Sequence, residues 1–161
     1  MRSLSALARL GLSLAVIGAV AGAGSVASAD QMPEGPGATA AGKRSKLKLL
    51  SSQFGPMLFT GGGQALYLFK KDGKNKSNCY GGCATAWPPF TTKGKPVAGK
   101  RVRKRLIGTT RRSGGARQIT YRGHPLYTYA HEGKRQVLCH DIFLNGGLWL
   151  AVKRNGKPVP R

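Results

Sequence analysis

The apolar positions of this chain fall in short runs rather than in helical stripes. Leu66 to Phe69 alternates and carries aromatics, as do Gln118 to Tyr121 and Leu126 to Tyr129, and Leu148 to Val152 forms a short closing run. Each is bounded by Gly, Pro, Asp or Asn, the pattern of strands between turns. Past the leader described below, no window longer than ten residues has a persuasive 3.6-residue period, apart from a short turn of helix predicted around Cys79 to Trp87. Gly61-Gly62-Gly63 lacks the Lys and Ser/Thr of a phosphate loop and reads as a hairpin turn. The expectation is a mostly β, compact antiparallel domain with little helix.

The pattern also repeats. Gly63 to Lys74 lies over Gly123 to Lys134 at an offset of 60, with Tyr67 on Tyr127, Phe69 facing Tyr129 and Asp72 facing Glu132. At the same offset Thr60 meets Thr120 and Cys79 meets Cys139, and a Trp closes each half, Trp87 and Trp149. Such self-similarity predicts two copies of one unit that bury their apolar faces together, here about residues 55–90 and 115–152 joined by a basic connection at 91–114.

The N-terminus reads differently. Arg2 and Arg9 precede an apolar stretch from Leu10 to Val20, and Ala27-Ser28-Ala29 follows, the n-region, h-region and small-residue site of a secretory signal peptide. Cleavage is expected near Ala29, with a retained membrane anchor as the alternative. Residues 30–48 are rich in Gly, Ala, Pro, Ser and basic side chains, so they read as a flexible basic spacer ahead of a domain at 49–161. The expected location is therefore secreted or at the cell envelope.

Export bears on the cysteines. Outside the cytoplasm Cys79, Cys83 and Cys139 are disulfide candidates before they are thiols or metal ligands, and the odd count leaves one over. Cys79 and Cys83, four apart around Gly81-Gly82, can approach closely enough to bond. Cys79 and Cys139 occupy equivalent positions, and that longer link would restrain the unfolded chain by roughly 4 kcal/mol against perhaps 2 for the local one.

The aromatic and acidic residues add a resemblance. Leu66-Tyr67-Leu68-Phe69, the Tyr67-x4-Asp72 spacing, Cys79-x3-Cys83 and Ala86-Trp87-Pro88-Pro89, with Gly123-His124-Pro125-Leu126-Tyr127 and Gly146-Gly147-Leu148-Trp149 further on, resemble a bacterial secreted-repeat family with a Tyr-x4-Asp motif. The family is described as predicted lipoproteins of unknown function. The resemblance implies an exported β-rich two-repeat domain at the bacterial envelope and no particular activity, and its cysteine pattern favours Cys79–Cys83. This chain departs from it in lacking a lipobox Cys, in carrying Glu132 for Asp, and in the loop Gln136 to Phe143.

Composition narrows the chemistry. The 161 residues carry 27 Lys and Arg against 5 Asp and Glu, a formal charge of +22. With three acidic residues after position 48, no two of them closely spaced, paired-carboxylate catalysis is not expected, and no catalytic residue or cofactor is assigned. Tyr67 with Asp72, and Tyr127 with Glu132, read as core tyrosines beside acidic turn residues rather than acid–base pairs. Cys139, His140 and His131 form a soft-ligand set for an alternative metal-binding or redox function, at spacings that match no standard motif.

The basic connection carries the leading function. Lys100, Arg101, Arg103, Lys104, Arg105, Arg111 and Arg112 crowd thirteen positions, a density that attracts polyanions. The expectation is a non-enzymatic interaction module for anionic wall polymers, lipid headgroups or extracellular nucleic acid, the last bound through phosphates without sequence reading.

Overall fold

The computed structural model describes residues 44–161. The signal peptide read at 1–29, its cleavage near Ala29 and residues 30–43 of the spacer lie outside the described residues. Strands dominate: β1 (Lys46–Leu50), β2 (Met57–Thr60), β3 (Tyr67–Phe69), a single-turn α1 (Gly82–Ala86), β4 (Val97–Ala98), a 3-10 turn at Lys104–Leu106, β5 (Ile107–Arg111), β6 (Arg117–Tyr121), β7 (His124–Pro125), β8 (Ile142–Leu144) and β9 (Gly147–Ala151). They form three small sheets ordered β2-β1-β4, β3-β9-β8 and β5-β6-β7, antiparallel except for the β1–β4 pair.

The apolar runs are continuous because these strands are buried on both faces. Met57, Phe59, Tyr67, Phe69, Tyr127, Trp149 and Ala151 enter one core cluster. Their sequence neighbours Leu58, Leu66, Leu68, Leu126, Leu150 and Val152 enter a second one on the other side. Period-two alternation thus sorts residues between two cores instead of between core and water.

The first core is built around stacked rings. Trp87 and Trp149 lie face to face at 3.9 Å and 2°, with Phe69 on the outer face of Trp149 at 4.2 Å and Tyr129 against Trp87 at 4.7 Å. Tyr67 meets Trp87 edge-on at 5.4 Å, and Tyr127 meets Trp149 edge-on at 5.2 Å. Gly147 makes room for this stack, since a Cβ there would stand 2.5 Å from the Phe69 ring.

Two expectations are corrected, and one strand has no counterpart among them. The ordered domain starts before Leu49: β1 begins at Lys46, and Leu47 is wholly buried because it pairs with Thr60 and packs in the second core. Leu126 to Tyr129 is no regular strand; Pro125 removes a ladder donor, and Tyr127 makes isolated bridges to Tyr67 and Pro89. Strand β5, which lies in the basic connection, gave no apolar signal. It carries Gly108 where a Cβ would meet the Thr120 hydroxyl at 2.8 Å.

Candidate functional site

Two tyrosines and two carboxylates are bonded crosswise. The Tyr67 hydroxyl donates to Glu132 Oε1 at 2.6 Å, and the Tyr127 hydroxyl donates to Asp72 Oδ2 at 2.8 Å. Neither tyrosine bonds the acid of its own Tyr-x4-acid stretch. The backbones of Tyr67 and Tyr127 exchange both hydrogen bonds, at 2.9 and 3.0 Å, so the two side chains leave one antiparallel bridge toward opposite turns. Each acid also fixes its own turn, as expected from Asp-Gly and Glu-Gly: Asp72 accepts the Asn78 N–H at 2.7 Å, and Glu132 accepts the Leu138 N–H.

Burial sets the protonation of this interior. It pushes the Tyr67 phenol far above its ordinary value, and the hydrogen bond to Glu132 and that carboxylate's charge push further. Tyr127 is raised first by burial, then by Asp72, against a lowering contact with Ser77. Both phenols therefore hold their protons more tightly folded than unfolded, which adds stability below about pH 10 that is lost as pH rises above it. In an alkaline titration followed by phenolate absorbance, two of the five tyrosines should ionise only with loss of the fold. Five tyrosines titrating together, with the fold intact, would contradict this assignment.

The two ends differ in their cations. Arg112, on the Asp72 side, is buried and donates to Ser77 Oγ at 2.7 Å, to Gln118 Oε1 at 2.7 Å and to the Cys79 carbonyl at 2.6 Å, while its guanidinium lies 4.3 Å over the Tyr80 ring. It therefore leaves the anion-binding set in which its neighbours placed it, because its donors are spent on interior acceptors. At the other end Glu132 Oε2 is buried with no hydrogen-bond partner among the described residues.

Cys79 and Cys83 form the disulfide, with Cα atoms 5.3 Å apart across the start of α1. Cys139 is free and buried; burial and the Glu132 charge push its thiol up to about 11, so it stays protonated at neutral pH. His131 packs edge-on against Tyr129, and His140 has both ring nitrogens engaged, accepting the Ala151 N–H and facing the Pro160 carbonyl. No group of three His, Cys, Asp or Glu side chains able to hold a metal occurs among the described residues.

The remaining basic residues do gather. Tyr121 ties two distant loops together: its hydroxyl accepts the Arg103 N–H at 3.1 Å and donates to the Arg154 carbonyl at 2.8 Å. Arg154 Nε in turn donates to the Arg101 carbonyl at 2.6 Å. Arg103, Lys104, Arg105 and Arg154 consequently line one shallow cleft, and Arg101 and Lys153 join an adjoining one floored by Leu49 and Pro56. Lys100 flanks the face beside Lys46 and Lys48 of β1. Arg111 stands at the far end of β5, about 13 Å along the strand from the 3-10 turn. Sequence reasoning missed Lys153 and Arg154, which lie about fifty positions from their partners with no local signal to connect them.

One stretch of the chain, from within β1 to just past α1, has a counterpart among known families. Residues 48–91 match a family described as a secreted repeat of unknown function. The secreted-repeat match takes in Tyr67, Asp72, the Cys79–Cys83 bridge and Trp87, and its description agrees with an exported protein. No curated protein and no solved structure matches the chain.

Proposed function

We propose that this chain is an exported β domain of two related halves that acts as an interaction module, holding phosphate-bearing polymers or surfaces on its basic face. The observation that carries the reading is the fate of the acids. Residues 44–161 contain 24 Lys and Arg and three acidic residues, Asp72, Glu132 and Asp141. Two of those are taken by tyrosines and the third pairs with Arg161 at 2.7 Å, so the cations around Arg103 and Arg154 have no acidic partner among the described residues. The crosswise Tyr–acid bonds and the paired turns support the two-half reading, since equivalent residues do equivalent work 60 positions apart.

No aromatic ring lines the clefts around Arg103 and Arg154 on which a base could stack. Trp87, Trp149, Tyr67, Tyr121 and Tyr127 are buried, so on this basic face nucleic acid would be held by phosphates, without sequence reading. Binding to inorganic polyphosphate should fall steeply with salt. Replacing Arg103, Lys104 and Arg105 together by Gln should lower the slope of log affinity against log salt by about 3, near one for each phosphate that is no longer neutralised. Their side chains make no hydrogen bond among the described residues, so a normal melting transition is expected. Salt-independent binding, or an unchanged slope in this variant, would overturn the proposal.

A further inference from the structure

Five large apolar side chains are exposed among the described residues, and four of them, Phe54, Leu138, Phe143 and Leu144, belong to one segment and the loop that leans on it. Phe143 is 70 % exposed and Leu138 64 %. The segment is anchored from beneath. Gln53 Nε2 donates to the Val137 carbonyl at 2.8 Å, the Phe54 ring stands edge-on to His140 at 4.6 Å, and the Asp141 N–H donates to the Trp149 carbonyl at 3.0 Å. Strand β8 is pinned to β9 on one side and is an edge on the other, closing through a tight turn in which Asn145 and Gly146 have φ of 53° and 76°. A rigid scaffold that presents Phe and Leu to water marks an interaction surface.

Charge selects the partner. No Lys or Arg occurs from Gln136 to Val152, but basic pairs bracket the stretch, Lys134-Arg135 and Lys153-Arg154. The Lys71 ammonium reaches the hairpin tip, 3.3 Å from where a Gly146 Cβ would stand. A second copy of the chain would bring the same cationic excess against itself. An anionic bilayer meets both requirements: its headgroups attract the cations, and its acyl boundary accepts apolar side chains.

We propose that the segment Leu138–Leu144, with Phe54, docks this protein on anionic lipid bilayers, Phe143 entering the headgroup–acyl boundary while Lys71 stays at phosphate level. The inference rests on the polyanion reading for its long-range attraction and adds a separate apolar contact.

The test uses protein as exported by its host, with three probes: phosphatidylglycerol vesicles, phosphatidylcholine vesicles and inorganic polyphosphate. Leu138→Ser with Phe143→Ser should weaken binding to the anionic vesicles about tenfold or more, the order expected for losing burial of two exposed apolar side chains, and leave polyphosphate binding unchanged. Phe143→Trp should be quenched by brominated lipid in anionic vesicles. Unaltered vesicle binding in the double variant, absence of quenching in bound Phe143→Trp, or equal binding to neutral vesicles would overturn the docking proposal while leaving the basic-face reading standing. Failure of all forms to bind polyphosphate at low salt would instead overturn the basic-face reading.

Discussion

Trp149→Ala should destabilise the domain by about 3–5 kcal/mol, the range for truncating a large aromatic in a core that cannot collapse. Trp149 is wholly buried and touches rings on three sides: Trp87 at 3.9 Å, Phe69 at 4.2 Å and Tyr127 at 5.2 Å. Its indole N–H also donates to the Leu144 carbonyl at 3.0 Å, holding the β8–β9 turn. Denaturant unfolding with an unchanged slope and a lowered midpoint gives the measurement. Trp149→Phe, a milder change that keeps a ring in the stack, should lose the bond to the Leu144 carbonyl and cost less than Trp149→Ala. A loss under about 1 kcal/mol in the alanine variant would show that the stack is not the centre of the core.

The second large effect is expected at Arg112. Arg112→Met keeps the length of the side chain and removes the donors, leaving Ser77, Gln118 and the Cys79 carbonyl without their buried partner. The cost should be about 3 kcal/mol or more, since each orphaned buried acceptor carries a desolvation penalty of about 1–3 kcal/mol. The variant also has a pH signature. Burial raises the Asp72 carboxyl above its ordinary value of 3.8, opposed by the Asn78 N–H, the Tyr127 hydroxyl and the Arg112 charge. A carboxyl raised by folding adds stability below its unfolded pKa, and that contribution is lost as pH rises through the folded value. Without Arg112 the carboxyl moves up further, so the variant's deficit should be larger at about pH 7 than at about pH 3. A deficit independent of pH would mean that Arg112 acts on the hydrogen bonds alone. No deficit at either pH would remove it from the interior network.

Much of the strand content was legible because apolar side chains in an otherwise basic, Gly-rich chain have few alternatives to the core. Leu66 to Phe69, Gln118 to Tyr121 and Leu148 to Val152 each coincide closely with a strand. Strands without that signature went unread. Strand β1 alternates Lys and Leu and merges with the basic spacer, and Gly108 and the threonines of β5 give β-propensity without hydrophobic contrast. The acids were recognised as turn residues, but their second bonds, to tyrosines some sixty positions away, have no local spacing to betray them.

Residue chemistry alone pointed to a β domain with cysteines that are disulfide candidates in two possible pairings, tyrosines that belong in the core, and a cationic excess that three acids cannot balance. Tertiary structure decided which of these features act together. It crossed each tyrosine to the other turn's acid, took Arg112 out of the basic surface and into the interior, and brought Arg154 to Arg101 and Arg103 through Tyr121. The reason is that local propensity acts over a few residues, whereas a buried hydrogen bond or a shared cleft depends on which distant strands pair, and the two-sided burial of β3 and β9 selects that pairing.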